Sequence, residues 1–244
     1  MNFCQRAWRQ SAQAALSLFY PPHCAACSAD TAAGCHLCVQ CADGVREIRA
    51  PFCQRCSESF DGAITGAFTC ANCAHREFTF ESAVARFRSE GVVREFIHRF
   101  KYERQFYLRH QLGDWLAAAW HDERIQNRAV DYLIPVPLHS ARRREREFNQ
   151  AEVLARILGK RTGTPVLEAL RRNRYTSTQT RLNRRERMEN LHGAFELRHN
   201  SPVQSRHLII VDDVFTTGST VEECARVLSQ AGAESIRVVT VARG

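Results

Sequence analysis

Apolar and polar positions repeat with two different periods along the chain, and the change of period marks its elements. From Phe80 to Phe87 the alternation predicts a strand, which Ser89-Glu90-Gly91 turns. Val93, Phe96, Ile97 and Phe100 then recur at the spacing of one helical face, over Val92 to Tyr102. A second helix is expected over about Leu108 to Trp120, and a short buried strand from Asp131 to Pro137. The polar run from Leu138 to Gln150 enters a helix reaching Leu158. Pro165 to Leu170 reads as a strand, Arg184 to Leu191 as a helix, and Gly193 to Leu197 as an edge strand. The stretch from His207 carries an apolar, largely β-branched run, Leu208 to Val211, the pattern of a strand buried on both faces of a parallel sheet. A helix from Val221 to Ala231, closed by Gly232, and a strand from Ser235 to Val241 complete the series. Strands alternating with helices predict an α/β body with a parallel sheet flanked by helices, over residues 79–244.

The first 78 residues read differently. Phe3, Ala7, Ala14, Ala15, Leu18 and Phe19 fall at roughly helical spacing, so an N-terminal helix is expected over 1–20, ended by Pro21 and Pro22 and packed on the body. Residues 21–78 hold few bulky apolar side chains and cannot build a core unaided. They hold cysteines instead: of 11 in the chain, only Cys224 lies beyond residue 73.

Hydrophobic content of 44% and charged content of 25% describe an ordinary globular chain. A net charge of +8, carried almost wholly by arginine, suggests an anionic partner such as a polyphosphate or nucleic acid, though solubility alone would also account for it. No stretch is apolar and long enough to span a membrane, and residues 1–20 lack the form of a signal peptide. The expectation is a cytoplasmic chain, where paired cysteines mean metal rather than disulfides.

Four Cys-x-x-Cys pairs follow one another: Cys24/Cys27, Cys38/Cys41, Cys53/Cys56 and Cys70/Cys73. Each pair can hold one side of a tetrahedral ion and the next pair completes it, giving two structural Cys4 zinc sites whose closed shells leave no position for catalysis. Cys35 leaves the first frame open, because Cys35/Cys38 has the same spacing, and His23, His36 and His75 lie near enough to substitute. A redox role needs only one pair beside a βα turn.

The densest chemistry lies at Val211-Asp212-Asp213-Val214-Phe215-Thr216-Thr217-Gly218-Ser219-Thr220. Two carboxylates end a buried strand, a small polar turn follows, and a helix begins. Backbone N–H groups at such a turn can surround an anion, and the hydroxyls of Thr216, Thr217, Ser219 and Thr220 add donors. The anionic Asp212 and Asp213 suit sugar hydroxyls or a metal beside the anion. No Gly-Lys-Ser/Thr follows the glycine, so the stretch is not a Walker A loop. Too few strands remain for a receiver domain, and simple helix capping explains one hydroxyl rather than a run of them.

This stretch resembles the phosphoribosyl-pyrophosphate (PRPP) loop of type I phosphoribosyltransferases. With the cysteine pairs, Asn149-Gln150 and the Arg172, Thr176, Gln179, Arg187, Asn190, Gly193-Ala194-Phe195 pattern, the whole chain resembles the ComF (ComFC/GntX-like) competence branch of that superfamily. The resemblance implies a double zinc ribbon over 21–78 and a phosphoribosyltransferase-like body. It implies a 5′-phosphate on Thr216, Thr217, Gly218, Ser219 and Thr220, and a catalytic or ribose-holding role for Asp212 and Asp213. Lys101, Arg142 and Arg144 are the basic candidates for pyrophosphate with Mg2+. Glu147 stands where the family's Gly-Phe-Asn-Gln has its glycine, which weakens an anion site there. The implied setting is handling of incoming single-stranded DNA during natural transformation, beside a helicase or another DNA-processing protein. An active transferase of nucleotide metabolism with an unknown nitrogen acceptor is the alternative, and a zinc-ribbon adaptor docking a protein partner is a third reading.

Overall fold

Residues 23–174 and 191–244, apart from positions 33, 63 and 65, are described by the computed structural model. The expected N-terminal helix over 1–20, the segment following Arg174 and the helix expected from Arg184 lie outside them.

Four strands form one wholly parallel sheet in the order β1-β6-β5-β2: β1 (Ala83–Arg88), β2 (Tyr132–Pro135), β5 (His207–Phe215) and β6 (Ser235–Arg243). Parallel neighbours need crossovers, and helices supply them: α1 (Gly91–Tyr102), α2 (Arg109–Trp120), α3 (Ser140–Arg146), α4 (Gln150–Thr162) and α5 (Ser219–Gln230). Strand β5 is central. Ile209 and Val211 face the helices α1, α2 and α4, while Leu208 and Ile210 face α5. All four are fully buried, each contributing roughly 1.5–3 kcal/mol as an upper estimate. The unbroken apolar run is therefore what a strand covered on both faces requires.

A separate antiparallel pair, β3 (Leu170–Arg172) with β4 (Phe195–Leu197), packs on the α5 side. Two expectations change here. The edge strand expected over Gly193 to Leu197 is cut to Phe195–Leu197, which pair with β3 and not with the main sheet. The strand expected over Pro165 to Leu170 is reduced to one bridge, Val166 beside Leu133, because Leu167 to Ala169 turn: Ala169 N–H donates to Leu167 O at 2.9 Å.

Strand β1 also begins later than its alternation suggests. The Arg55 guanidinium takes the carbonyls of Phe80 and Glu81 at 2.9 and 2.8 Å, so these residues lie in a bend that a head side chain holds. The single helix expected through Leu158 is in fact two. It breaks at Glu147, whose φ of 69° is left-handed, and restarts at Asn149, whose Oδ1 accepts the Ala151 N–H at 3.1 Å.

The cysteine-rich head straddles the β1 edge. Glu47 bridges Phe87, and Ile48 N–H donates to Arg86 O at 2.8 Å, so the head covers backbone groups that an edge strand would otherwise leave open. Ala25, Ala26, Leu37 and Val45 pack towards α1 and α2, whereas Cys53, Cys56, Cys70 and Cys73 share a core with Phe80, Phe215 and α5.

Candidate functional site

At the carboxyl end of β5 the pleat sends Asp212 and Asp213 to opposite faces. Asp213 is buried on the α1 side, where its Oδ2 lies 2.8 Å from Lys101 Nζ. Asp212 is half-buried on the α5 side, and its Oδ1 accepts the Asp213 N–H at 2.9 Å. Burial, then the charge of Asp213, pushes the Asp212 carboxyl up to about 7, against the pull of Lys101. For Lys101 burial acts downward, but the two aspartates outweigh it and hold the ammonium above its ordinary range. Near neutral pH the site thus combines a fixed Lys101–Asp213 pair with a second carboxyl close to its midpoint.

Beyond Phe215 the chain turns through Thr216, Thr217 and Gly218 into α5. Gly218 has a φ of 78°, and a Cβ there would meet the Phe215 ring at 2.6 Å. Only glycine satisfies both conditions. Asp212 and the residues from Thr216 to Thr220 line a small cavity at the start of α5, where the helix dipole favours an anion. Thr217 Oγ1 and Ser219 Oγ lie 3.0 Å apart inside it. Arg76 of the head donates to Thr217 O at 3.0 Å, and Thr79 donates to the Glu222 carboxylate through its N–H and its hydroxyl at 3.1 and 2.6 Å. Phe80 meets the Phe215 ring edge-on at 6.0 Å. Arg76 of the head, with Thr79 and Phe80 at the start of the body, thereby braces the turn, which positions more than 130 residues earlier do not announce.

Of the three basic candidates, the structure brings only Lys101 into contact with the acidic pair. Arg142 and Arg144 lie on α3, beyond the end of β2, and Arg144 is exposed. The arginine that enters the interior is Arg146, two residues further on. It donates to Gln150 Oε1 at 3.1 Å and lies over the Tyr102 ring at 4.7 Å. Its i, i+4 relation to Gln150 was the available signal, hidden within a run of like residues. Glu147 keeps the left-handed turn although it is not glycine, and its carboxylate pairs with Arg104 at 2.8 Å. Asn149 caps α4 and donates to Val136 O at 3.0 Å, a structural use of that motif.

Both cysteine quartets converge. Cys24, Cys27, Cys38 and Cys41 form one group and Cys53, Cys56, Cys70 and Cys73 the other, with the sulfurs of each within 4.8 Å of one another. Cys27 and Cys38 sulfurs are 3.6 Å apart, and those of Cys56 and Cys70 3.7 Å. A tetrahedral ion with Zn–S bonds of about 2.3 Å has sulfur edges of roughly 3.8 Å, so both quartets fit zinc. Cys35 is exposed and stands outside the first group, which resolves the frame. In the second quartet a hydrogen bond from Cys56 brings Cys53 down to about 4, while the same bond and burial push Cys56 far up. A dication would draw off the remaining protons.

A double zinc ribbon domain model matches residues 15–75, and a phosphoribosyl transferase domain model matches residues 148–244. The chain is 31% identical over 211 residues to competence protein F of Haemophilus influenzae, covering 85% of this chain and 90% of that protein. It is 32% identical over 214 residues to DNA utilization protein YhgH of Salmonella typhimurium, again covering 85% of this chain and 90% of the relative. Among solved structures, adenine phosphoribosyltransferase of Saccharomyces cerevisiae aligns over 56% of this chain and 72% of its own length, at 15% identity and a TM-score of 0.36. Among the described residues no helix is long and apolar enough to cross a membrane.

Proposed function

The chain belongs to the family of competence protein F and the DNA utilization protein YhgH, and on that premise we propose that it binds PRPP, or a phosphoribosyl end, while handling single-stranded DNA during its uptake and use. The observation that carries this reading is the end of β5: two carboxyls, one pinned by Lys101, beside a glycine-hinged turn that opens a helix. Amides and hydroxyls from Thr216 to Thr220 hold the 5′-phosphate. Asp212 and Asp213 accept from the ribose hydroxyls, and were a nitrogen nucleophile to bond C1 as pyrophosphate leaves, their field would favour the positive charge developing there. Lys101, and from α3 Arg142 and Arg144, are the basic residues assigned to the pyrophosphate. Mg2+ held beside these residues with the pyrophosphate would neutralise that group's charge.

The names of the relatives, competence and DNA utilization, support the DNA setting over one in nucleotide metabolism. Deletion in the host, with complementation by the parent or by Asp212→Asn/Asp213→Asn, tests the reading. Transformation and growth on DNA should return with the parent and not with the variant. Equal rescue by both would end it. Pyrophosphate release on mixing PRPP with nucleobases would instead favour an active transferase.

A further inference from the structure

Six large apolar side chains are exposed among the described residues: Val39, Phe60 and Ile64 in the head, and Tyr102, Phe106 and Tyr107 in the body. The body's three thus fall within one short segment, at the end of α1 and the turn that follows. Their rings are held in place. Phe106 stands edge-on to Phe148 at 5.0 Å, with the Arg109 guanidinium over its ring at 4.2 Å. Tyr102 lies beside His98 at 4.9 Å and under Arg146 at 4.7 Å. Tyr107 donates its hydroxyl proton to Gln105 at 3.0 Å and accepts from Arg99 at 3.4 Å.

Exposed aromatic faces are expensive to leave in water, and a wholly apolar docking face would not be threaded with guanidinium groups. Rings and cations together suit a ligand that is flat and aromatic in one part and anionic in the next. A single strand of nucleic acid has that alternation, with unpaired bases to stack and phosphates to neutralise; a duplex hides its base faces. Rings already fixed by their neighbours lose little freedom on binding. The location fits as well, because Tyr102 directly follows Lys101, whose ammonium sits on Asp213.

We infer that Tyr102, Phe106 and Tyr107, with Arg109 over the Phe106 ring, form a base-stacking platform for single-stranded DNA beside the phosphoribosyl site. The inference rests on the DNA-handling reading above and gives that reading a surface.

Fluorescence anisotropy with a labelled oligothymidylate, and with an abasic oligonucleotide of equal length, tests it in the full zinc-loaded chain. Tyr102→Ala/Tyr107→Ala should bind the thymidylate roughly ten- to a hundred-fold more weakly, the loss of two stacking contacts. Tyr102→Phe/Tyr107→Phe should stay within about three-fold of the parent, since the rings remain. The parent should prefer thymidylate to the abasic strand, and the alanine variant should lose that preference. Unchanged DNA affinity in the alanine variant, equal parental affinity for the two oligonucleotides, or a change confined to sedimentation of the free protein would each overturn it. PRPP affinity, measured in parallel, separates the two readings. A parent that binds PRPP but no single strand sinks the platform alone. A parent whose ring-dependent DNA binding persists without PRPP binding sinks the phosphoribosyl reading alone.

Discussion

Adjacent aspartates at the end of β5 have unlike electrostatics because the pleat places them on opposite sides of the sheet. Asp213 has a lysine at 2.8 Å, whereas Asp212 is held up to about 7 by burial and by its neighbour's charge. Between its ordinary 3.8 and about 7 the folded chain binds that proton more tightly than the unfolded chain does, so stability falls as pH rises through this window. Asp212→Asn should match the parent near the acid end and exceed it by about 1 kcal/mol or more at the alkaline end, read from urea midpoints. Parallel pH profiles for the two proteins would show that Asp212 ionises normally. Glu147 offers a second residue-level test. Its left-handed φ of 69° strains a non-glycine residue by about 1 kcal/mol, and its exposed pair with Arg104 returns little. Glu147→Gly should therefore raise stability by up to about 1 kcal/mol, and a loss of that size would mean the Arg104 pair outweighs the strain.

At the scale of elements, the turn between β5 and α5 depends on one backbone position and one distant brace. Gly218→Ala drives a methyl into Phe215 and should weaken PRPP binding at least about ten-fold by calorimetry, at the expense of roughly 1–2 kcal/mol of stability. Arg76→Met removes the donor to Thr217 O and should weaken PRPP binding several-fold, by about 1 kcal/mol, while zinc content stays the same. Unchanged affinity would make the brace ornamental to the site. The turn itself was readable in the sequence because local chemistry fixes it: an unbroken apolar strand, two acids, a glycine and a helix start. The two Cys4 groups were readable from spacing for the same reason. What escaped depends on contacts distant along the chain. Arg55 delays β1, the turn at Leu167 to Ala169 dissolves an expected strand, and Arg146, rather than Arg142 or Arg144, goes inward. Nor does hydropathy distinguish the exposed rings of Tyr102, Phe106 and Tyr107 from the buried Phe96 and Phe100 on the same stretch.

Across the whole molecule, the head clasps the β1 edge with its two quartets in unlike surroundings. All four cysteines of the second are buried in the core shared with Phe80 and Phe215, whereas Cys27 of the first is exposed. A chelator should remove zinc in two phases. The first equivalent should leave PRPP binding nearly intact, and the second should abolish it together with near-ultraviolet circular dichroism. Release in a single phase would contradict this division. The claim on which the account turns is that the carboxyl edge of β5 grips a phosphorylated sugar, and calorimetric titration of the zinc-loaded chain with PRPP and Mg2+ measures it directly. The parent should bind, and Asp212→Asn/Asp213→Asn should bind at least about ten-fold more weakly while remaining folded. Equal affinity in the two proteins would contradict the account.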